Sequence, residues 1–127
     1  MKIKERYTYI DGDNIGLKIE VCFLENNEES LLQINKDVKQ IIEQITDYLI
    51  IEKQEVIFSG ADGIICKGEN FDIIGTQAFI RGVSKEITFS IGSGLSLMDS
   101  YIALRYAKSL NKNIAVELVQ SRFTVFK

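Results

Sequence analysis

The amino-acid sequence predicts an α+β fold with a βαββαβ core. Apolar residues recur at every second position in several short segments, as in strands, and at three- and four-residue spacing in longer segments, as in helices. In chain order these segments follow the βαββαβ pattern, which is typical of an antiparallel-containing sheet with helices mainly on one face. The chain has 127 residues, of which 46% are hydrophobic and 26% charged, and this fits one domain over residues 1–127 with a single core.

The first third of the chain predicts a strand, a segment of open assignment and a long helix. Residues 3–10 alternate between apolar or aromatic and polar side chains, which predicts a strand. The cluster at residues 11–14 ends it, because Asp, Gly and Asn favour turns and helix caps. Residues 15–25 fit both a strand and one face of a helix, so their structure stays open. Residues 30–52 carry apolar side chains at helical spacing and predict the clearest helix.

The rest of the chain predicts a hairpin and then alternating helices and strands. The hairpin has strands at residues 55–58 and 64–67 and a tight turn at 59–63. Gly75 weakens the helix expected around it, and Gly92-Ser93-Gly94 should end the strand before it. The elements expected after the hairpin are a helix over 70–81, a strand over 86–91, a helix over 96–110, and strands over 114–119 and 123–126 separated by a turn at 120–121.

This element order predicts that two distant acidic residues meet. A βαββαβ core of the ferredoxin-like kind has its first and third strands at the centre, followed here by an additional C-terminal helix and strands. The hairpin turns at the end of the sheet where the first strand finishes. We therefore expect Asp11 and Asp62 to lie beside each other.

The composition excludes several classes of site and partner. With no histidine, the chain cannot form Ser-His-Asp or Cys-His triads or the usual zinc sites, so a metal would be bound by oxygen, as Mg²⁺, Mn²⁺ or Ca²⁺ is. A net charge of −3 argues against stable nucleic-acid binding. No apolar run approaches the roughly 20 residues that span a bilayer, so we expect no membrane anchor. The chain has only two cysteines, Cys22 and Cys66, and we therefore expect a cytoplasmic protein with both thiols in the core.

Residue types around Asp11 favour a nucleoside triphosphate site. Asp11 and Asp62, with the carbonyl oxygen of Gly12, are suitable ligands for a divalent cation, since the cation relieves the repulsion between two carboxylates. Backbone amides of residues 14–16 at a helix start would bind phosphate, and Gly60 would allow a close approach of ligand or backbone. Both motifs are also common turn sequences, and Tyr7 and Tyr9 are interpreted as packing residues of the first strand, so a purely structural reading stays open.

Four segments in order resemble the palm-domain nucleotide cyclases. These include the GGDEF diguanylate cyclases and the polymerase subunit of type III CRISPR complexes, and the short Asp-Gly-Asp-Asn-Ile-Gly form is most similar to the minimal CRISPR polymerase (mCpol) group. The resemblance covers nearly the whole chain. The segments are Tyr9 to Gly16, Phe58 to Asp62, Ser90 to Gly92, and Ala103 to Lys108 with Asn111-Lys112-Asn113.

The resemblance implies a role for each matched residue. Asp11 and Asp62 would be catalytic and bind the metal with the Gly12 carbonyl. Lys108 and Lys112, which by themselves suggest only solvated residues near a helix end, would bind the terminal phosphates. The nucleotide-binding residues implied by position or proposed from the motifs are Asp13, Asn14, Ile15, Gly16, Ser59, Gly60, Lys108 and Lys112, of which Asp13, Asn14 and Ser59 are candidates for base contacts.

The hairpin departs from the related Gly-Gly-Asp-Asp and Gly-Gly-Asp-Glu motifs. Ser59 replaces the first glycine and Ala61 the first acid, while Asp62 matches the final acid. An alignment shifted by one residue would instead match Gly63 to the final acid and Asp62 to the first. Losing one acid would reduce the number of metals or the activity.

The function implied is the joining of nucleoside triphosphates, with ATP favoured, into a cyclic oligonucleotide, most simply a cyclic dinucleotide second messenger in antiviral defence. The expected cofactor is Mg²⁺ or Mn²⁺, and the expected partners are a second copy of the chain, because two nucleotides must meet, and an effector protein that binds the product. One alternative is a catalytically degenerate domain that binds a nucleotide as a sensor. Another is a ferredoxin-like regulatory domain in which the acids have no role.

Overall fold

A computed structural model describes residues 5–127. Residues 3 and 4 of the first predicted strand lie outside the described residues. The elements in chain order are β1 (Arg6–Gly12), α1 (Ile15–Leu24), α2 (Glu28–Ile51), β2 (Glu55–Gly60), β3 (Gly63–Gly68), α3 (Ile73–Val83), β4 (Phe89–Gly94), α4 (Leu97–Leu110), β5 (Ala115–Val119) and β6 (Arg122–Phe126).

The six strands form one sheet in the order β2-β3-β1-β4-β5-β6. Strand β1 is antiparallel to both of its neighbours, β3 and β4, and among the strands of residues 5–127 only β4 and β5 form a parallel pair. The central positions of β1 and β3 in the βαββαβ core and the additional C-terminal α4, β5 and β6 are confirmed. The sheet therefore places the end of β1 next to the β2–β3 hairpin.

The open segment after β1 is the helix α1. Ile15 and Cys22 are buried seven residues apart, which is two helical turns, and α1 packs on α2. In α2, Val38, Ile42 and Ile45 are buried at the spacing that predicted a helix. The side chain of Asn27 accepts a hydrogen bond from the Ser30 amide, so the helix begins two residues before the prediction.

The two faces of the sheet are covered differently. On one face Ile10, Ile64 and Ile91 pack with α2 and α3 in the main core. On the other face α4 packs on β4, β5 and β1. There a Cβ at Gly92 would lie 2.2 Å from the backbone nitrogen of Leu104, so only glycine permits this approach. Residues 92–94 were expected to end the strand but lie inside β4, where they form the part of the sheet on which α4 packs.

Local hydrogen bonds explain two further boundaries. The side chain of Asp72 accepts a hydrogen bond from the Gly75 amide at 2.9 Å, so α3 begins at Ile73 and Gly75 belongs to its cap. A Cβ at Gly75 would lie 2.2 Å from Asp72 Oδ2, so a larger residue there would displace the carboxylate that caps the helix. Both cysteines are buried, as expected. Within residues 5–127, every helix is too short or too polar to cross a bilayer.

Candidate nucleotide and metal site

The end of β1 is joined directly to the hairpin turn. Asp11 lies opposite Gly63 in the β1–β3 register, and the amide of Gly12 donates a hydrogen bond of 2.9 Å to the carbonyl oxygen of Asp62. Strands β2 and β3 are joined by only two residues, Ala61 and Asp62. The expected meeting of Asp11 and Asp62 at one rim of the sheet is therefore confirmed.

The Asp11 carboxylate is a partly buried anion beside one cation and one further acid. Burial raises the pKa of the Asp11 carboxyl; the hydrogen bond and charge of Lys108 oppose this rise, whereas the negative charge of Asp62 adds to it. Lys108 Nζ lies 2.9 Å from Asp11 Oδ2. The two carboxylates thus repel each other across the rim, as expected for a pair that would bind a cation.

Lys108 joins three oxygens at this rim. Besides Asp11 Oδ2, its ammonium donates to the carbonyl oxygen of Gly12 at 3.0 Å and to Asp13 Oδ1 at 3.1 Å. Burial alone would lower the pKa of Lys108, but the hydrogen bonds from it to Asp11 and Asp13 raise the pKa overall. The packing of α4 on β1 and β4 therefore places a positive charge beside the carboxylates, at a residue for which the family resemblance implied phosphate binding.

Asp13 is a buried carboxylate that is hydrogen-bonded to several distant elements. Its side chain is 0% exposed, and its carboxylate accepts hydrogen bonds from Thr88 Oγ1 at 2.8 Å, Ser90 Oγ at 2.7 Å and the Asn113 amide at 2.9 Å. Burial alone would raise the pKa of the Asp13 carboxyl, but the hydrogen bonds from Ser90, Thr88 and Lys108, together with the charge of Lys108, lower it.

The position of Asp13 changes its interpretation. Its carboxylate faces protein groups, so the structure gives it a positioning role in place of the base contact expected from the motif. Thr88, Ser90 and Asn113 were not identified from the sequence in this role. Serine on β4 two residues before Gly92 was the available signal, because alternate residues of a strand share one face.

The start of α1 offers backbone amides beside two lysines. Asn14 precedes the helix with a φ of 59°, and Lys112 Nζ donates to its side-chain oxygen. Gly16 is exposed, and a Cβ there would meet nothing within 4 Å. The side chain of Ile15 is buried, so only its backbone is available to a ligand. Helix N-terminal amides next to Lys108 and Lys112 favour an anion such as a phosphate group.

A cavity of about 570 Å³ lies between α1, α2 and the hairpin turn. Most of its lining is apolar, Glu28 and Asn35 contribute polar side chains, and Asp62 lies at its edge. It is of the size and character that small-molecule sites have, with a volume inside the usual ~300–1,000 Å³ range. Its remaining lining residues are Ile15, Gly16, Ile19, Leu31, Leu32, Ile34, Val38 and Ala61.

Ser59 and Gly60 line a separate, smaller cavity between the hairpin and α2. The hydroxyls of Ser59 and Thr46 are 2.8 Å apart and share a hydrogen bond, so Ser59 ties β2 to α2. Gly60 pairs with Gly63 at the end of the hairpin. Neither contributes to the lining of the larger cavity. The nucleotide-binding roles of these two residues stay predictions.

The rim suits a hard cation by the chemistry of its donors. Asp11 Oδ2 and the Gly12 carbonyl oxygen already surround one cationic group, the ammonium of Lys108, which shows that these oxygens converge. Asp62 would add a second carboxylate. Within residues 5–127 no group of three or more acidic or cysteine side chains is arranged as a metal cluster. A metal here would thus depend on two carboxylates and a carbonyl oxygen.

Comparison with protein families identifies the chain. The model of the minimal CRISPR polymerase domain matches residues 7–118, which run from the second residue of β1 to the penultimate residue of β5. The chain belongs to the minimal CRISPR polymerase (mCpol) family. The family belongs to the general class of nucleotide polymerases and cyclases. No curated protein sequence matches the chain.

Solved structures share the fold of this mCpol protein. A diguanylate cyclase/phosphodiesterase from Caldicellulosiruptor saccharolyticus aligns with a TM-score of 0.62 at 15% identity, over 96% of this chain and 80% of that chain. The active GGEEF domain of a diguanylate cyclase from Vibrio cholerae aligns with a TM-score of 0.62 at 16% identity, over 93% and 83%. A Csm1-Csm4 cassette in complex with cA4 aligns with a TM-score of 0.64 at 17% identity, over 91% of this chain and 21% of that chain. At these identities the likeness shows the palm fold.

Proposed function

We propose that this mCpol protein condenses nucleoside triphosphates, with ATP favoured, into a cyclic oligonucleotide, most simply a cyclic dinucleotide. One observation carries the proposal: Asp11, the Gly12 carbonyl and Asp62 meet at a rim that also borders the α1 amides and the cavity. Oxygen ligands for a cation, donors for phosphate and space for a base are thus adjacent. These are the parts that nucleotidyl transfer requires.

The reaction needs no histidine. A ribose hydroxyl oxygen of one nucleotide attacks the α-phosphorus of another; the bond from that phosphorus to the bridging oxygen breaks, pyrophosphate leaves with the electron pair, and the hydroxyl proton passes to solvent. A second transfer in the opposite sense closes the ring. When bound, Mg²⁺ or Mn²⁺ lowers the pKa of the hydroxyl and neutralises negative charge.

The chain's own residues bind and orient the substrate. Asp11, Asp62 and the Gly12 carbonyl would hold the cation, and amides of residues 14–16 would bind the triphosphate. Lys108 Nζ pairs with Asp11 Oδ2 and donates a hydrogen bond to the Gly12 carbonyl oxygen. A cation held by these oxygens would take the place of the ammonium, which would then be available, with Lys112, to a phosphate group. The cavity between α1 and α2 would accept the base of the donor nucleotide, the one whose α-phosphorus is attacked.

The biological setting is proposed with the reaction. Ring closure needs two nucleotides with opposed roles, which a pair of chains facing each other across the rim would supply, so we propose a homodimer. The product would act in the cytoplasm as a second messenger in antiviral defence, through a separate effector protein. The family assignment supports this setting.

The test is direct assay of the purified chain. Incubated with the common nucleoside triphosphates and Mg²⁺ or Mn²⁺, it should release pyrophosphate and form a cyclic product identified by mass analysis. Asp11→Asn and Asp62→Asn should each lose at least a hundredfold in rate. Asp47→Asn removes an exposed carboxylate on α2 and serves as the matched control. Full turnover in either site variant would contradict the assignment.

A nucleotide sensor is the second candidate. Ala61 stands where the related motifs have an acid, and no three-carboxylate cluster occurs within the described residues 5–127. A sensor would bind a nucleoside triphosphate in the presence of Mg²⁺ but would release no pyrophosphate. Isothermal titration calorimetry beside the pyrophosphate assay separates the two functions.

A further inference from the structure

Helix α1 is apolar on the side that faces away from the rest of the protein. Seven of its ten residues are apolar, yet only Ile15 and Cys22 are buried. Between residues 35 and 47 of α2, by contrast, every exposed side chain is charged or polar. A helix that is apolar all round is usually buried in a core, so the outward face of α1 indicates a surface that binds a partner.

Three of the exposed apolar side chains form one stripe along α1. Leu17, Val21 and Leu24 follow one another at spacings of four and three residues, so they lie on one side of the helix. These residues are 58%, 50% and 76% exposed, respectively, and we refer to them as the α1 stripe. Leu17 is two residues, or about 200° around the helix, from the buried Ile15, so the stripe points away from the core.

Two opposite charges border the α1 stripe on one flank. Lys18 and Glu25 are seven residues apart, which is about two turns, so both lie on the same flank of α1. Both residues are exposed, and neither forms an ion pair with another residue of 5–127. The flank therefore carries a positive charge in the first half of the helix and a negative charge at its end.

This order of charges selects one direction for a second α1 helix packed on the stripe. In an antiparallel pair about a two-fold axis the same flank of each helix adjoins, and Lys18 of each copy lies opposite Glu25 of the other. In a parallel pair the charges that adjoin are Glu20 of one copy and Glu25 of the other, which repel each other. The antiparallel pair has two attractive contacts and one repulsive approach, between the two Glu20 side chains on the other flank.

The antiparallel direction keeps the rims of the two copies apart. The midpoint of Lys18 and Glu25 lies between residues 21 and 22, so the two-fold axis passes there. Helix α1 begins at Ile15, beside the rim, and at 1.5 Å per residue the two helix starts are about 20 Å apart along the pair. Reacting atoms must approach to about 3–3.5 Å, so this contact adds to the pairing across the rim and does not replace it.

The size and symmetry of this surface favour a weak contact with a second copy of the chain. A stable dimer buries roughly 800 Å² on each partner, and three apolar side chains with their charged flank supply only part of that area. Association through α1 should therefore depend on the protein concentration. The stripe and its flanking charges are complementary to themselves about one axis, which is the property that a contact between identical chains requires.

We propose that the α1 stripe is a second contact between copies of this chain, formed by two antiparallel α1 helices with Lys18 of each opposite Glu25 of the other. A chain that makes this contact and also pairs across the rim assembles beyond a dimer, because the two contacts have different two-fold axes. The contact uses no catalytic residue and needs no nucleotide, so it goes beyond the proposed function.

The test measures the mean mass of the purified chain without nucleotide. Multi-angle light scattering is recorded at protein concentrations from about 1 to 100 µM, the range in which small interfaces associate. Val21→Glu puts two like charges at the centre of the contact. Phe23→Glu is the matched control, because Phe23 is 69% exposed on the same helix but about 200° away from Val21. Lys18→Glu and Glu25→Lys are measured alone and mixed in equal amounts.

The variants should differ in association while their circular dichroism spectra stay the same. Val21→Glu should weaken association about a hundredfold or more, because like charges brought together at an interface repel strongly, and Phe23→Glu should associate as the wild type does. Lys18→Glu and Glu25→Lys should each weaken association by about tenfold, since each turns two attractive contacts into repulsive ones. Their mixture should associate as the wild type does, because every charge at position 18 then faces an opposite charge at position 25.

Four outcomes would overturn the proposal. A wild-type chain whose mean mass equals that of Val21→Glu at every concentration would show that the stripe joins no copies. An equal loss of association in Phe23→Glu would show that the effect does not depend on the stripe. A mixture of Lys18→Glu and Glu25→Lys that stays dissociated would exclude the antiparallel arrangement. A loss of pyrophosphate release in Val21→Glu would make α1 part of the catalytic pairing and not a second contact.

Discussion

The two halves of the rim are built differently. Asp13, next to Asp11 on the β1 side, is enclosed by hydrogen bonds from β4, α4 and the segment before β5. On the hairpin side, Asp62 belongs to a two-residue turn held by strand pairing and one backbone hydrogen bond to Gly12. The contrast teaches that one carboxylate position is held by side-chain contacts from several distant elements, whereas the other depends on the backbone of a single turn.

The largest difference should appear in stability. Asp13→Asn removes the charge that Lys108, Ser90 and Asn113 surround, and breaking a buried ion pair in this way costs about 3–5 kcal/mol. Asp62→Asn should cost less than about 1 kcal/mol, because Asp62 is at a turn. Urea unfolding of the two variants compares the two sides. Similar losses would show that the two sides are equally rigid.

Acid pH should sharpen the same comparison. The pKa of Asp13 is lowered from its ordinary value of 3.8 in the folded protein, so its contribution to stability is complete above that value and disappears as pH falls through the folded pKa. The difference in unfolding free energy between the wild type and Asp13→Asn should therefore be constant from neutral pH to about pH 5 and shrink below pH 4. A difference that grows on acidification would contradict the assigned network.

The close contact between β4 and α4 at Gly92 provides the next test. Gly92→Ala would place a methyl group 2.2 Å from the Leu104 amide nitrogen, so α4 must move, at a cost of about 1–3 kcal/mol. Because α4 carries Lys108, this variant should also lose turnover. Gly82→Ala is the control: a Cβ there meets nothing within 4 Å, and the exposed helical position should gain about 0.5–1 kcal/mol. Circular dichroism during thermal unfolding measures both effects.

The smallest effect is expected in the hairpin turn. Ala61 has a φ of 49°, in the left-handed region that favours glycine. Ala61→Gly should therefore stabilise the protein by less than about 1 kcal/mol, since the relief of strain is partly offset by the entropy of the unfolded chain. Chemical denaturation with replicate measurements can detect such a shift. A clear loss of stability would mean that the Ala61 methyl group has a packing role.

Sequence patterns predicted the central positions of β1 and β3 and the neighbouring positions of Asp11 and Asp62, because element order restricts how strands of a βαββαβ core can pair. They did not decide between strand and helix for α1, since both spacings suit its apolar residues. Packing against α2, which buries Ile15 and Cys22, selects the helix. Residues 92–94 looked like a strand end because glycine weakens strands, yet the close approach of α4 requires glycine there.

The sequence by itself determined the fold class, the oxygen-only donor chemistry and the residues that would meet at the rim, since these follow from periodicity, composition and element order. Only the tertiary structure decided that Asp13 turns inward while Lys108 covers Asp11 and Gly12. It also placed Tyr9 beside the carboxylate on an open face. The reason is physical: side-chain direction and burial depend on which distant element packs alongside, and no local pattern within one strand encodes that neighbour.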